Sequence, residues 1–237
     1  MEASNLVFLV LSVILSLVIL ETQAQLPEED VPSGLQHLLK WDLDTWKPPQ
    51  EIADDFPYYL SGFGEDNRPI WVLEFGKWDI PGMLARGSKW EKILDKHVDQ
   101  WLWRMWKSLG LKSDPKDPVT EALVIVDMEG YGFKQLNSSE AMAFVVRKMR
   151  LVTLTLRFAF EAYAINTNFV GDAFLRILRP ILGKDFEKLD IYGTNPAKWR
   201  PIVLRHIPRD QIRESYGGKK NFKPFWTSSE NSFPETP

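Results

Sequence analysis

The sequence predicts an α/β fold with a mixed, mostly parallel sheet covered by helices, and three observations support this class. The continuous apolar run EALVIVDM, residues 121–128, is typical of a strand buried on both faces. Strand-like and helix-like segments alternate along the chain, as parallel sheets with helical crossovers require. The 237 residues are 44% hydrophobic and 26% charged, an ordinary globular composition with enough apolar surface for one large core.

Local patterning predicts each element in turn. Strands are expected where short β-branched or aromatic runs lie between turn residues, and helices where apolar residues recur every three or four positions. The first two strands are separated by the turn-rich stretch GFGEDNRP, residues 62–69. The predicted strands are residues 57–62, 70–75, 121–128, 161–166 and 188–192. The predicted helices are residues 34–41, 88–109, 138 to about 155, and 169–182.

The first residues have the pattern of a secretory signal peptide. Residues 6–20 are apolar except for two serines, a stretch shorter than the roughly 20 residues of a membrane-spanning helix. Small residues at Thr22 and Ala24 predict cleavage before Gln25, so residues 1–24 are assigned to the signal peptide. The mature chain is then expected to be secreted. The alternative is an uncleaved membrane anchor, since Glu2 stands where a basic residue is usual.

Two further features bear on secretion. The chain has no cysteine, so the fold is expected to hold without disulfides, which a domain of this size can do. Asn137 begins an Asn-Ser-Ser sequon at the start of a predicted helix, and it is therefore a predicted glycosylation site.

Charge is divided unevenly along the mature chain. Residues 25–146 carry 13 basic and 21 acidic side chains, a balance of −8, whereas residues 147–223 carry 16 basic and 7 acidic ones, a balance of +9. One interpretation is a pair of solvated faces. The other is a basic face that meets anionic lipid headgroups. Nucleic acid is not expected as a partner, because the whole chain has a net charge of −3 and no basic motif.

The WLWRMW stretch, residues 101–106, leaves two interpretations open. Trp101 falls on the apolar face of its helix and is expected in the core. Trp103 and Trp106 fall among charged residues on the other side, where a neighbouring segment covers them or where they act as exposed anchors at a membrane or protein contact.

The sequence has no recognisable catalytic or metal-binding constellation, so no enzyme activity is expected. The three histidines are scattered, without the spacing of metal ligands, and no nucleophile elbow is present. Asp127 and Glu129 in VDMEG could act as an acid/base pair, but two carboxylates at a strand end more often cap loops. No catalytic residue, metal site or cofactor is therefore assigned.

The helix predicted for residues 169–182 is apolar around most of its circumference. At about 100° per residue, its apolar side chains cover roughly 240°. A surface helix packed on one core needs a stripe only about 100° wide. This helix is therefore expected to face more than one apolar environment; the alternative is a helix fully buried in a large core.

Four stretches in order resemble the CRAL-TRIO lipid-binding family. They are PYYLSGFGEDNRPIWVLEFGKWD, ALVIVDMEGYGFKQL, AINTNFVGDAFLRILRPILG and IPRDQIRESYGG. The resemblance covers residues 46–218 and is greatest to the branch that contains supernatant protein factor. It extends to α-tocopherol transfer protein and cellular retinaldehyde-binding protein.

The resemblance implies a sheet that forms the floor of an apolar pocket, closed by a mobile gate helix that also touches membranes. The gate falls on residues 169–182, which explains the wide apolar arc. Strand alternation shows which sheet residues share a face but not which face lines the pocket. The predicted pocket-lining residues are Trp71, Leu73, Val124, Val126, Ala164, Phe169, Phe174, Ile177, Leu178 and Ile181.

Some family features differ here. Of the usual N-terminal helical domain only a short remnant is expected, within residues 25–45, and residues 219–237 are predicted to form a flexible tail. Phosphatidylinositol-binding members use a glutamate and a lysine for the headgroup. The corresponding positions hold Arg157 and Lys188, which are predicted to contact a headgroup or membrane, and the sequence does not fix whether phosphoinositide binding is retained.

These observations together predict a secreted, non-enzymatic carrier of a hydrophobic small molecule such as a lipid, tocopherol, retinoid, carotenoid or other isoprenoid. This carrier is expected to make transient contact with membranes, anionic membranes among them. The alternative function is a module that recruits a membrane or protein without cargo. The sequence does not fix the oligomeric state or the ligand.

Overall fold

The computed structural model describes residues 31–156, 158–230 and 232–234. The chain divides into two units, Met1–Leu39 and Lys40–Pro237. In the described part of the first unit the regular element is one turn of 3₁₀ helix, Gln36–Leu38. The helix predicted for residues 34–41 is therefore wrong in type and length, because the short apolar pattern gives too few residues to propagate an α-helix. The predicted signal peptide lies outside the described residues.

The second unit contains the α/β fold. Within the described residues its strands are β1 (Tyr58–Phe63), β2 (Pro69–Leu73), β3 (Ala122–Asp127), β4 (Ala159–Thr167), β5 (Leu189–Gly193) and β6 (Trp226–Thr227). Its α-helices are α1 (Gln50–Asp55), α2 (Ile80–Leu84), α3 (Ser88–Ser108), α4 (Phe133–Leu136), α5 (Ser139–Leu156), α6 (Phe169–Leu182) and α7 (Pro196–Val203). The five strands and three long helices predicted for this unit are present, with ends shifted by at most two residues, and α1, α2, α4, α7 and β6 were not predicted.

The strands form one mixed sheet in the order β5-β4-β3-β2-β1-β6. The pairs β2–β3, β3–β4 and β4–β5 are parallel, whereas β1 is antiparallel to both of its neighbours. The prediction of a mixed, mostly parallel sheet is confirmed.

Topology explains why the long helices lie together. From β2 to β5 the parallel strands advance in one direction across the sheet, and crossovers between parallel strands are right-handed. The helices α3, α5 and α6 within these crossovers therefore cover the same face.

The opposite face carries a separate core. Tyr59, Val72, Ile125 and Tyr163 are each buried there to 2% exposure or less, together with Trp199 of α7. Along each central strand, every second side chain points into this core. The side chains between them point to the other face, beneath α3, α5 and α6.

The segment after residue 218 packs on the domain. Trp226 pairs with Leu60 of β1 and is 1% exposed. Its ring centroid lies 6.2 Å from that of Trp71 and 5.1 Å from that of Phe233. The guanidinium of Arg104 lies 4.4 Å from the same ring. The prediction of a flexible tail is thus wrong for the described residues, because two distant aromatic side chains anchor a segment of loop-like composition.

The tryptophans of α3 agree with the interpretation in which Trp101 lies in the core and a neighbouring segment covers Trp103. Trp101 is 3% exposed and Trp103 is 7% exposed. The Nε1 of Trp103 donates to Asp44 Oδ1 at 3.0 Å, so the segment before α1 covers it. Trp106 is partly buried against Trp103, with 5.1 Å between ring centroids. Trp103 is therefore not an exposed anchor.

Helix α3 also buries a histidine. His97 is fully buried, and its Nε2 lies 3.0 Å from the carbonyl oxygen of Phe56. Since the carbonyl can only accept, Nε2 carries a proton and donates it to this hydrogen bond. Burial lowers the pKa of His97 from 6.5 to about 4, against the opposing effect of the Phe56 hydrogen bond.

This histidine predicts an acid-sensitive fold. The unfolded chain protonates His97 below about pH 6.5, whereas the folded chain resists protonation down to about pH 4. The stabilisation is therefore complete above pH 6.5 and is lost as pH falls through that window, by about 3 kcal/mol. We expect His97→Gln to flatten the pH dependence of the free energy of unfolding between these values, measured by urea unfolding. An equal pH dependence in both proteins would contradict this assignment.

No helix among the described residues is both long and apolar enough to cross a bilayer.

Candidate functional site

The predicted sheet residues of the site share one face. Leu73 is paired with Val126, which in turn is paired with Ala164. Trp71 is paired with Val124 in the same way. Residues paired side by side point to the same side of a sheet, so all five face α3, α5 and α6. This is the side opposite the core that contains Val72 and Ile125.

An apolar cavity of about 20 Å³ lies between this face and the helices. Leu73 lines it from the sheet, and Lys148 is the charged side chain among the residues around it. The remaining lining residues are apolar or aromatic: Phe75, Trp78, Ile80, Val98, Trp101, Phe144, Val145, Met149 and Val152. Ligand sites for lipid-sized molecules are usually several hundred Å³, so this cavity is too small to hold such a molecule as it stands.

The inner side of α6 contacts the cavity wall through an aromatic cluster. Phe174 is 2% exposed, and its ring centroid lies 5.9 Å from that of Phe75 and 4.8 Å from that of Tyr131. Phe75 also lines the cavity. Leu178, 1% exposed, belongs to the same buried side of the helix. Movement of α6 would therefore remove support from the cavity wall.

Asn168 fixes the start of α6. Its Oδ1 accepts hydrogen bonds from the backbone N–H of Val170 and of Gly171, at 3.0 and 2.9 Å. Its Nδ2 donates to the carbonyl oxygen of Tyr131 at 2.8 Å. The helix ends at Gly183, whose φ of 63° suits a residue without a side chain. Both ends of α6 are thus defined by local hydrogen bonding and backbone conformation.

The outer side of α6 is apolar and exposed. Phe169 is 73% exposed, Ile177 46% and Ile181 40%. Phe133 of α4, 55% exposed, extends this surface through an edge contact with Phe169. The prediction that Phe169, Ile177 and Ile181 line the interior is wrong for this arrangement, because the wide arc is divided between two sides of the helix. We call these four side chains the outer stripe.

A polar groove of about 300 Å³ runs between α6 and the edge strand β5. Arg176 and Arg179 line it beside Ile191 of β5. The Nε of Arg176 donates to Asp172 Oδ2 at 2.8 Å, so one guanidinium is held by a carboxylate. This groove places cations next to the outer stripe.

Of the two predicted headgroup residues, the structure describes Lys188. Lys188 precedes β5, and its Nζ donates to the carbonyl oxygen of Ala159 at 3.2 Å. Arg157 lies outside the described residues. Their predicted role in headgroup or membrane contact therefore stays a prediction.

A buried ion pair adjoins the cavity. Lys148 is 4% exposed, and its Nζ lies 2.7 Å from Asp99 Oδ1 and 3.0 Å from Asp95 Oδ1. Asp99 is 5% exposed. The sequence analysis did not identify Lys148, although a lysine among apolar residues in AMAFVVRKM is a usable signal for a charged group on a helix that covers a sheet.

Asp127 has a structural environment. Its Oδ1 accepts from the backbone N–H of Glu129 and from Asn166 Nδ2, at 3.0 and 2.9 Å, and its Oδ2 accepts from Tyr216 Oη at 2.7 Å. Burial, followed by the neighbouring charges, raises the pKa of Tyr216, so the phenol stays protonated as donor. These bonds favour the loop-capping interpretation of Asp127. Among the described residues no cluster of potential metal ligands is present.

The family model for the CRAL/TRIO domain matches residues 53–218. The chain belongs to the CRAL/TRIO family. This range includes the sheet from β1 to β5, the covering helices and the cavity between them. The CRAL/TRIO fold is shared with the crystal structure of Sfh5, at a TM-score of 0.57 and 14% identity over 86% of this chain and 72% of that one.

Membership of the CRAL/TRIO family makes this a lipid-binding domain. CRAL/TRIO proteins are generally lipid-transfer binders rather than enzymes, which agrees with the structural role of Asp127. The family model does not separate branches, so the likeness to the supernatant protein factor branch remains a prediction.

Proposed function

We propose that the protein is a secreted, non-enzymatic carrier that holds a hydrophobic small molecule between the sheet and its covering helices and exchanges it at membranes. One observation carries this proposal. Helix α6 packs Phe174 on its inner side against Phe75, which lines the cavity, and exposes Phe169 and Ile177 on its outer side. A lid that must leave the protein interior and enter a bilayer needs both apolar sides.

The cargo class follows from the lining. Around the cavity the side chains are aliphatic and aromatic with one charged group, so an apolar chain or ring system such as an isoprenoid, retinoid, tocopherol or carotenoid fits best. Burial of apolar ligand surface is favourable by about 25 cal/mol per Å². Cargo of this kind requires the cavity wall, including Phe75, to move outward, since the cavity measures about 20 Å³.

Secretion is part of the proposal and rests on the sequence of residues 1–24. Asn137, at the end of α4, is exposed, as a glycosylation acceptor must be. The absence of cysteine is compatible with an extracellular fold whose core is large.

Anionic membranes are the proposed site of exchange. Arg176, Arg179 and Lys184 are exposed near the outer stripe. An apolar surface flanked by basic side chains is the arrangement that binds an anionic lipid surface.

The small cavity favours one alternative, a module that binds membranes without cargo.

Extraction of natively purified protein followed by mass spectrometry separates the two functions. We expect one apolar molecule per chain, released by organic solvent and absent from a buffer control. Empty protein that still pellets with anionic vesicles would contradict the carrier function and support the cargo-free module.

A further inference from the structure

One buried donor at the cavity lacks a partner. Trp101 lines the cavity and is 3% exposed. Its Nε1 is fully buried and has no hydrogen-bond acceptor among the described residues. Leaving a buried donor unpaired costs about 1–3 kcal/mol. The neighbouring Trp103 shows the usual solution, since its Nε1 donates to Asp44.

A second donor stands at the same cavity. Lys148 lines it and presents an ammonium group that is already in contact with Asp95 and Asp99. The cation is therefore balanced by carboxylates. A ligand carboxylate brought to this wall would meet the buried charge of Asp99, and like charges close together in a low-dielectric environment repel strongly.

We propose that the cargo carries a neutral oxygen acceptor, such as the carbonyl of an ester, ketone, aldehyde or quinone, which pairs with Trp101 Nε1 beside the Lys148–Asp99 ion pair. This inference rests on the proposed carrier function. An acceptor supplies what the indole lacks, and neutrality avoids the repulsion from Asp99. A pure hydrocarbon leaves Trp101 Nε1 without a hydrogen-bond acceptor, whereas an anion is repelled by the carboxylate of Asp99.

Three probes with the same chain test the inference: methyl palmitate, palmitate and hexadecane. The full delipidated protein is titrated with each, and displacement of bound Nile red reports the affinity. We expect methyl palmitate to bind about tenfold more tightly than hexadecane, the effect of one buried hydrogen bond, and more tightly than palmitate.

Two variants assign the effect to the residues. Trp101→Phe keeps an aromatic ring but removes the N–H, so we expect it to abolish the preference for methyl palmitate over hexadecane. Trp103→Phe is the matched control, because its indole is on the same helix and already paired with Asp44, and it should keep the preference. Asp99→Asn removes a negative charge at constant shape, so palmitate should gain affinity relative to methyl palmitate.

The outcomes separate this inference from the carrier function. Equal affinities for the three probes in the wild type would overturn the inference while leaving the carrier intact, and would mean that water pairs with Trp101. A preference that survives in Trp101→Phe would also overturn it. If none of the probes binds, the carrier function fails together with the inference. The comparison of Trp101→Phe with Trp103→Phe decides the matter even where Asp99→Asn does not fold.

Discussion

Replacing Trp226 with alanine should lower the free energy of unfolding by about 3–5 kcal/mol, the usual cost of deleting a fully buried large aromatic side chain. Trp226 is 1% exposed and packs against Tyr58, Trp71 and Phe233. It also covers the guanidinium of Arg104, whose Nε and Nη1 have no hydrogen-bond partner among the described residues. Removing the ring would leave a cavity beside a buried cation, and urea unfolding measures the loss.

Phe225 provides the matched control for this change. It precedes Trp226 but is 48% exposed, with one edge contact to Phe63. Phe225→Ala should therefore change the free energy of unfolding by less than about 1 kcal/mol. Equal small effects of both substitutions would show that the C-terminal segment does not pack on the sheet in solution.

Phe174→Asp should impair the retention of cargo, whereas Ile177→Asp should impair binding to membranes. The two positions lie only about 60° apart on a helical wheel. Phe174→Asp places a charge inside the aromatic cluster with Phe75 and Tyr131, so we expect the closed state to lose several kcal/mol. Retention of bound cargo should fall sharply. Release into buffer, followed by gel filtration, measures it.

Ile177→Asp should spare both the fold and the retention, since this side chain is 46% exposed. We expect binding to anionic vesicles to fall by about tenfold or more, because an apolar contact with the bilayer is replaced by a charge that anionic lipid repels. Each variant is the control for the other, as both add one negative charge. Loss of retention in Ile177→Asp with unchanged vesicle binding would show that the inner and outer sides of α6 are assigned the wrong way round.

The sheet was largely predictable because its signals are local. The apolar run of residues 121–128 and the alternation of strands with helices sufficed to predict parallel strands, and β3 is found at Ala122–Asp127. The choice of pocket face was not local. It depends on the order of all strands in the sheet and on the right-handed crossovers between the parallel ones. Together these determine whether Leu73 or Val72 faces α3, α5 and α6.

The C-terminal segment was mispredicted for a physical reason. Residues after 218 are rich in proline and serine and show no periodicity, which is typical of a loose tail. Its order comes from Trp226 and Phe233, which contact Trp71 more than 150 positions away in the sequence. Such long-range aromatic contacts leave no mark on local patterning.

The candidate site was predicted in part. The wide apolar arc correctly indicated that α6 faces more than one environment, but the wheel could not say where the inner side ends and the outer side begins. The polar side of the cavity was missed, because Trp101 has the pattern of an ordinary core residue and Lys148 that of a surface lysine. Only packing of α3 against α5 brings both to one wall.

The sharing of Phe75 between lid and cavity has a thermodynamic consequence. Phe75 contacts Phe174 on one side and lines the cavity on the other, so an occupant that displaces it changes the balance between closed and open lid. Linkage is reciprocal: whatever factor bound cargo applies to the affinity for a bilayer, the bilayer applies to the affinity for cargo. In the proposed carrier, cargo that displaces Phe75 from Phe174 and a bilayer that binds the open lid would favour the same state, so each would raise the affinity for the other by that same factor.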